Sequence, residues 1–214
     1  MKIRNIADRR FRKFGTVIKG IDVSSLVDWA KTVPVTDQVE YVPSVPEAEA
    51  LEASRKIRRL VYGGMPVEVG YCAGRNRKAD TLEYHRSEEV NIAASDLIVV
   101  VGSRADMDSA GSFDLARAEA YFVPEGTVYL FYSSTLHYAP CSVKADGFCS
   151  VVILPEGTNT ELPERRTDRF ATEEDCMLSM KNKWVLTHPL SGEAYYPGLK
   201  GDIIEIGEEA KYDF

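Results

Sequence analysis

The sequence predicts a mainly β protein built as one domain. Three observations predict it. From Pro66 onward, short β-rich runs alternate with turn residues, at a spacing of about 8–12 residues that suits all-β folds. No helical period intervenes between those runs, so the strands are expected to pair antiparallel as a sandwich or barrel. The chain has 214 residues, of which 44% are hydrophobic and 28% charged. That balance suits one globular unit and excludes collagen-like or fully disordered chains.

The elements follow in order. Met1 to Gly20 carries seven Lys or Arg and one acid. It reads as a solvated basic edge, because it holds neither the apolar stretch of a signal peptide nor a pattern for binding nucleic acid. A short helix is expected over Asp22–Lys31 and a longer one over Val45–Tyr62. The longer segment has acids in its first turn, and Lys56, Arg58 and Arg59 before Gly63-Gly64, a charge order that suits a helix dipole. Strands are expected near Val67–Cys72, Thr81–His85, Glu89–Ala93, Leu97–Gly102, Ala118–Phe122, Gly126–Phe131, Leu136–Pro140 and Phe148–Leu154. Pro155 to Asp175 is polar and reads as a long connection, partly helical near Thr172–Ser179. Strand-like text resumes at Lys183–Thr187, Ala194–Tyr196 and Asp202–Ile206. Residues 1–65 are therefore read as N-terminal helical and strand decoration, 66–154 as the core, and 155–214 as a connection and β-rich C-terminal extension.

Composition excludes several functions. The net charge of -7 repels phosphate backbones, so no nucleic-acid partner is expected. No apolar run approaches the roughly 18–20 residues of a membrane span, and the longest, Leu97–Gly102, has strand length. A cytoplasmic protein without a membrane partner is expected. The four cysteines Cys72, Cys141, Cys149 and Cys176 form no C-x-x-C pair, which removes zinc-ribbon and thioredoxin readings and leaves free, mostly buried thiols.

Only three histidines are present, His85, His137 and His188, so any imidazole chemistry must use them. Glu83 and His85 are two apart on an expected strand, which puts both side chains on one face. A turn at Arg86–Glu88 would return Glu89 towards the same interior. Carboxylate, imidazole and carboxylate converging there make a divalent-metal site. His137 follows the tight turn Pro124-Glu125-Gly126 by eleven residues. A strand out and back would bring it inside as a fourth ligand. Glu88 is the solvated neighbour of Glu89, although the two could exchange roles, so both are candidates for moving a proton. Within Gly74–Lys78, Arg75 or Arg77 could lean over the mouth and bind a carboxylate or phosphate. Tyr129 and Tyr132 have opposite parity, so at most one points inward; Tyr132 is assigned to the substrate side. His188 lies outside these motifs.

These residues resemble the cupin superfamily. Its first motif reads G-x5-H-x-H-x3-4-E-x6-G, and here Glu83, His85 and Glu89 stand at the ligand positions, with Glu83 in place of the first histidine. Pro124 and Gly126 match the P-x-G of its second motif, and His137 stands farther beyond that glycine than the general motif has it. Within cupins the chain resembles the ureidoglycolate lyase family over roughly residues 11–153. Glu83-Tyr84-His85 corresponds to its E-R-H segment, Leu136–Pro140 to its W-H-H-P segment, and Phe11–Ile18 to its F-x-x-F-G-x-V-I start. It is also similar to uncharacterised bacterial cupin-like proteins of about this length. His85 is followed by Arg86-Ser87-Glu88-Glu89 rather than that family's H-P-x-G-S-Q, and Tyr138 replaces its second histidine.

The resemblance implies a single double-stranded β-helix, or jelly-roll, barrel. It implies a divalent metal (Zn, Mn, Fe or Ni) held by Glu83, His85, Glu89 and His137. It also implies a lyase acting on a small ureido or hydroxy acid, and a homodimer. A cupin sugar or sugar-acid isomerase and a non-enzymatic small-ligand-binding cupin are the alternatives.

Overall fold

The computed structural model describes residues 1–162, 173–207 and 210–213. Eight strands form its centre: β1 (Val67–Gly74), β2 (Thr81–Tyr84), β3 (Glu89–Ala93), β4 (Leu97–Ser103), β5 (Glu119–Val123), β6 (Val128–Phe131), β7 (Thr135–Leu136) and β8 (Phe148–Pro155). One sheet runs β1-β8-β3-β6, antiparallel throughout. The other runs β2-β7-β4-β5, its first link being a bridge between Glu83 and His137. Strands thus alternate between facing sheets in the order 1-8-3-6 and 2-7-4-5, which is the jelly-roll topology. The sheets remain separate ladders, so the expected barrel takes the form of two packed layers rather than a closed cylinder.

Both faces of most of these strands are buried, which explains why their sequences lack a clean alternation of polar and apolar residues. On β3, Val90 and Ile92 pack outward with Val128, Leu130, Val151 and Ile153 against the N-terminal helices, while Ala93 joins Val99, Tyr121, Tyr129, Phe131 and Val152 between the sheets. On β2, Leu82 and Tyr84 pack outward into a cluster with Trp184 and Leu186. That leaves the opposite parity, Glu83 and the following His85, for the interior.

The decoration extends both sheets. Gly15–Ile18 pairs with β6 and Glu40–Val42 with β1, while Lys2–Asn5 pairs with β5 and Lys211–Asp213 with Lys2–Asn5. Added strands of this kind cover edges that would otherwise invite pairing with another chain. Helix α1 (Ser24–Ala30) matches expectation. The expected Val45–Tyr62 helix is instead two, α2 (Pro46–Glu49) and α3 (Glu52–Leu60). Leu51 adopts an extended backbone (ψ 145), and Ser54 Oγ closes the corner by donating to the Ala48 carbonyl at 2.7 Å.

At the C-terminal side, β9 (Leu178–Met180) and β10 (Lys183–Thr187) form a hairpin, and β10 pairs antiparallel with β2. Trp184 stacks on Tyr84 at 5.5 Å, with Arg86 over Trp184 and Arg104 over Tyr84. Glu174 joins both guanidiniums at 3.0 and 2.6 Å. Of the stretch expected to be helical, Thr172–Ser179, a 3-10 turn spans Glu173–Met177 while Leu178 and Ser179 enter β9; residues 163–172 of the connection lie outside the described residues. The text expected as strand at Ala194–Tyr196 supplies only a bridge from Tyr196 to Leu186, because the flanking Pro197 has no amide to donate to a ladder. Among the described residues no helix is long and apolar enough to cross a membrane. Cys72, Cys141 and Cys149 are buried free thiols, and Cys176 is exposed.

Gly70 lets the Glu40–Val42 strand approach β1, since a Cβ there would sit 1.7 Å from the Val42 carbonyl oxygen. Gly70→Ala is expected to destabilise the fold by about 1–3 kcal/mol through forced backbone separation. Urea unfolding of the two proteins checks this.

Candidate metal centre

The site lies between the sheets. At the corner between β2 and β3 the chain crosses from one sheet to the other, so Glu83 and Glu89 come from opposite layers. His137 enters just after β7, fixed by its backbone pair with Glu83 (His137 N to Glu83 O 2.9 Å, Glu83 N to His137 O 2.6 Å). All four side chains are buried. Ligand atoms of Glu83, His85 and His137 lie within 4.8 Å of one another. Glu89 Oε2 is 3.2 Å from His85 Nε2 and 3.3 Å from His137 Nε2.

Outer contacts orient both rings. His85 Nδ1 donates to the Asn182 carbonyl at 2.7 Å, and His137 Nδ1 faces the Thr135 carbonyl at 3.1 Å. A carbonyl only accepts, so each Nδ1 carries the proton and each Nε2 faces the cluster, as metal-bound histidines are commonly held. Phe131 stacks on His137 with centroids 4.6 Å apart. Asn91 Nδ2 donates to Glu89 Oε1 at 2.9 Å, leaving Oε2 towards the imidazoles.

The residues fit a divalent ion. His85 Nε2 is buried and has carboxylate oxygens at 3.2 and 3.7 Å, yet is aligned for a hydrogen bond with neither. That is the spacing of ligands around a shared point rather than of direct partners. Two imidazoles and two carboxylates suit Zn, Mn, Fe or Ni. Burial favours neutral carboxyls, but Lys183 and the two histidines outweigh it and hold Glu83 down at about 2. For Glu89 the same opposition, led by His137, leaves it well below the usual carboxylate range. Burial pushes the Cys72 thiol up.

A cavity of about 40 Å³ adjoins the cluster, lined by Glu83, Glu89, Asn91, Tyr129 and His137 among others. That is room for an ion and one or two small oxygen ligands. It shares Tyr41, Cys72, Glu83, Tyr138 and Ala139 with an outer vestibule of about 390 Å³.

Arg75 lines that vestibule, and its guanidinium pairs with Asp37 at 2.7 Å. Glu88 stands apart from the cluster: it is exposed, because its position on the corner turns it away from the side that Glu89 occupies. Tyr132 also stands apart, packed against the helix-side cluster, while parity turns Tyr129 inward. His188 is on the far side of the extension, with Nε2 at 3.0 Å from the Gly201 carbonyl.

Sequence reasoning missed Lys183, Asn182, Asn91 and Tyr41. Lys183 Nζ sits 2.5 Å from Glu83 Oε2. Asn182 had a legible signal. It separates two β runs and has a positive φ of 57, which asparagine tolerates in turns. Its side chain accepts from Arg86 N and donates to Ser87 and Thr158, locking the tip of the hairpin beside His85. Asn182→Ala is expected to lower metal affinity about 10–100-fold, the usual cost of disturbing a partner outside the ligands. Asn182→Gly, which accepts positive φ, should recover part of it. Zn²⁺ titration of the three proteins checks this.

A jelly roll enclosing two histidines and two carboxylates defines a β protein with a candidate metal centre. The chain belongs to the family described as Domain of unknown function (DUF4867), matched over residues 3–204. No curated protein matches it. Among solved structures it is similar to HygX from Streptomyces hygroscopicus, a structure with nickel and 2-oxoglutarate bound, at 16% identity and a TM-score of 0.41 over 78% of this chain and 96% of that one. It is also similar to SnoN, the non-heme alpha ketoglutarate dependent epimerase from nogalamycin biosynthesis, at 11% identity and a TM-score of 0.39 over 77% and 91%. A mutant of Bacillus subtilis oxalate decarboxylase OxdC matches at 10% identity and a TM-score of 0.24 over 59% of this chain and 27% of that one. These likenesses are distant.

Proposed function

We propose that this chain is a metal-dependent cupin enzyme, a carbon–nitrogen lyase acting on a small ureido or hydroxy acid. The observation that carries the metal reading is the pair of histidines whose Nδ1 atoms are tied to carbonyls while both Nε2 atoms face the same buried Glu89 oxygen. Glu83, His85, Glu89 and His137 would hold the ion. When bound, a divalent ion supplies Lewis-acid polarisation of a substrate oxygen.

The chain's own residues do the rest. The small inner cavity admits only the reacting end of a substrate, and the vestibule holds its body. Tyr129, Phe131, Val99 and Val152 exclude bulk water from the inner space. We assign to Glu89, whose Oε1 accepts from Asn91, the transfer of a proton from the substrate hydroxyl. Loss of that proton lets the carbonyl form as the carbon–nitrogen bond breaks, and the proton goes to the departing nitrogen. Glu88, being exposed, takes no part in this step. The lyase reading is supported by the resemblance over residues 11–153.

A second reading, aldose–ketose isomerisation, is favoured by the polar side chains Asn76, Asp80 and Thr81 along the vestibule, which suit sugar hydroxyls. Turnover assays of metal-reconstituted protein on ureidoglycolate and on pentoses and hexoses test both. Urea release supports the lyase, and sugar interconversion supports the isomerase. Thermal stabilisation by these compounds without turnover makes the protein a binding module and overturns the enzyme reading.

A further inference from the structure

Lys183 is an ammonium with an unusual position. Its side chain is only 12% exposed, and Nζ lies 2.5 Å from Glu83 Oε2. Tyr41 and Tyr138 flank it, with ring centroids at 5.9 and 5.6 Å. Aromatic faces accommodate a cation without cancelling its charge. Glu83 is its one ion-pair partner among the described residues. An ammonium has three donors, and Lys183 also lines the vestibule. A buried ammonium with donors to spare beside a cavity is the protein half of an anion site.

The charges on the site point the same way. Glu83 and Glu89 offset the two charges of a divalent ion, and neutral imidazoles add none. Lys183 then leaves one positive charge over. Glu83, if shared with a bound ion, would hold Nζ less tightly. At the rim, Arg75 is engaged by Asp37 and Lys78 by Glu205, which leaves Asp80 and Glu193 among the lining residues. Those acids disfavour a second negative charge on a ligand.

Resting on the metal reading above, we propose that Lys183 binds the carboxylate of the substrate and restricts the site to small monoanionic hydroxy acids. The ligand would place its hydroxyl in the inner cavity and its carboxylate against Nζ on the vestibule side, leaving the tyrosine faces to the ammonium.

Calorimetric titration with glycolate and with its uncharged amide, glycolamide, tests this on Zn²⁺-loaded protein. Wild type is expected to bind glycolate at least tenfold tighter than glycolamide. Lys183→Met should lose that preference while binding glycolamide within twofold of wild type and retaining its Zn²⁺. Lys183→Arg, which keeps the charge, should retain part of the preference. Zn²⁺ uptake by wild type with no preference for glycolate overturns the assignment whether or not the variants fold. A preference unchanged in Lys183→Met overturns it as well. Absence of Zn²⁺ uptake by wild type overturns the metal reading, and this inference with it.

Discussion

His85→Ala is expected to lower divalent-metal affinity by more than about 100-fold, beyond the roughly 10–100-fold lost with an outer partner. The reason is geometric. His85 Nε2 faces both carboxylates from the corner between two sheets, with its other nitrogen already spent on the Asn182 carbonyl. His188→Ala is the control. That ring is bonded to the Gly201 carbonyl, and the variant should bind metal as wild type does. Zn²⁺ titration, with circular dichroism to show that the variants remain folded, checks both. Equal affinity in His85→Ala would remove this residue from the site.

Metal affinity is also expected to rise steeply with pH. Burial disfavours a charged His85 ring, but Glu83 and then Glu89 outweigh it and raise the ring to about 10. Without metal it is therefore an imidazolium at neutral pH, its second proton standing where an ion would stand. Glu83 and Glu89 are both held low and have no proton to give up above pH 5. Binding must displace one proton from His85. This proton alone should make apparent affinity climb roughly tenfold per pH unit, about 100-fold from pH 6 to pH 8, with at least one proton released per ion. Calorimetry in buffers of different ionisation enthalpy measures that release. A flat profile with no proton released would contradict the arrangement.

The same shifts act on the metal-free fold, with the sign set by direction. The raised His85 contributes stability that is complete below its unfolded value of about 6.5 and fades as pH rises through about 10. The lowered Glu83 contributes above about 4.5 and is lost as pH falls through about 2. The metal-free chain should therefore be most stable between those limits, and metal should stabilise it most on the alkaline side.

Much of the central fold was legible because turn chemistry punctuates it. Runs such as Leu97–Ser103 and Phe148–Pro155 are bounded by polar or proline positions, and their strand character needs no partner to be read. Lys2–Asn5, Gly15–Ile18 and Glu40–Val42 were not legible. They are short, and they are strands because a sheet edge pairs with them rather than because of their own pattern. The break at Leu51 was hidden for a similar reason. The Val45–Tyr62 segment has good helix formers throughout, and the Ser54–Ala48 corner is a tertiary choice.

At the site, strand parity was enough to group Glu83 with His85, and the corner at Arg86–Glu88 was enough to return Glu89. Parity also said that only one of Tyr129 and Tyr132 faces inward, but not which. That depends on which face of β6 meets the other sheet, and the helices covering Val128 and Leu130 decide it. Lys183 was invisible because its partner Glu83 lies a hundred residues earlier and the two meet only through the pairing of β10 with β2.

The central claim is that Glu83, His85, Glu89 and His137 together hold one divalent ion. X-ray absorption on Zn²⁺-loaded wild type, after exhaustive dialysis and with elemental analysis, tests it most directly. The account predicts one ion per chain with two imidazole nitrogens and carboxylate oxygens at about 2.0–2.2 Å. An ion lost on dialysis, or one retained with a sulfur ligand or without imidazole scattering, would contradict it.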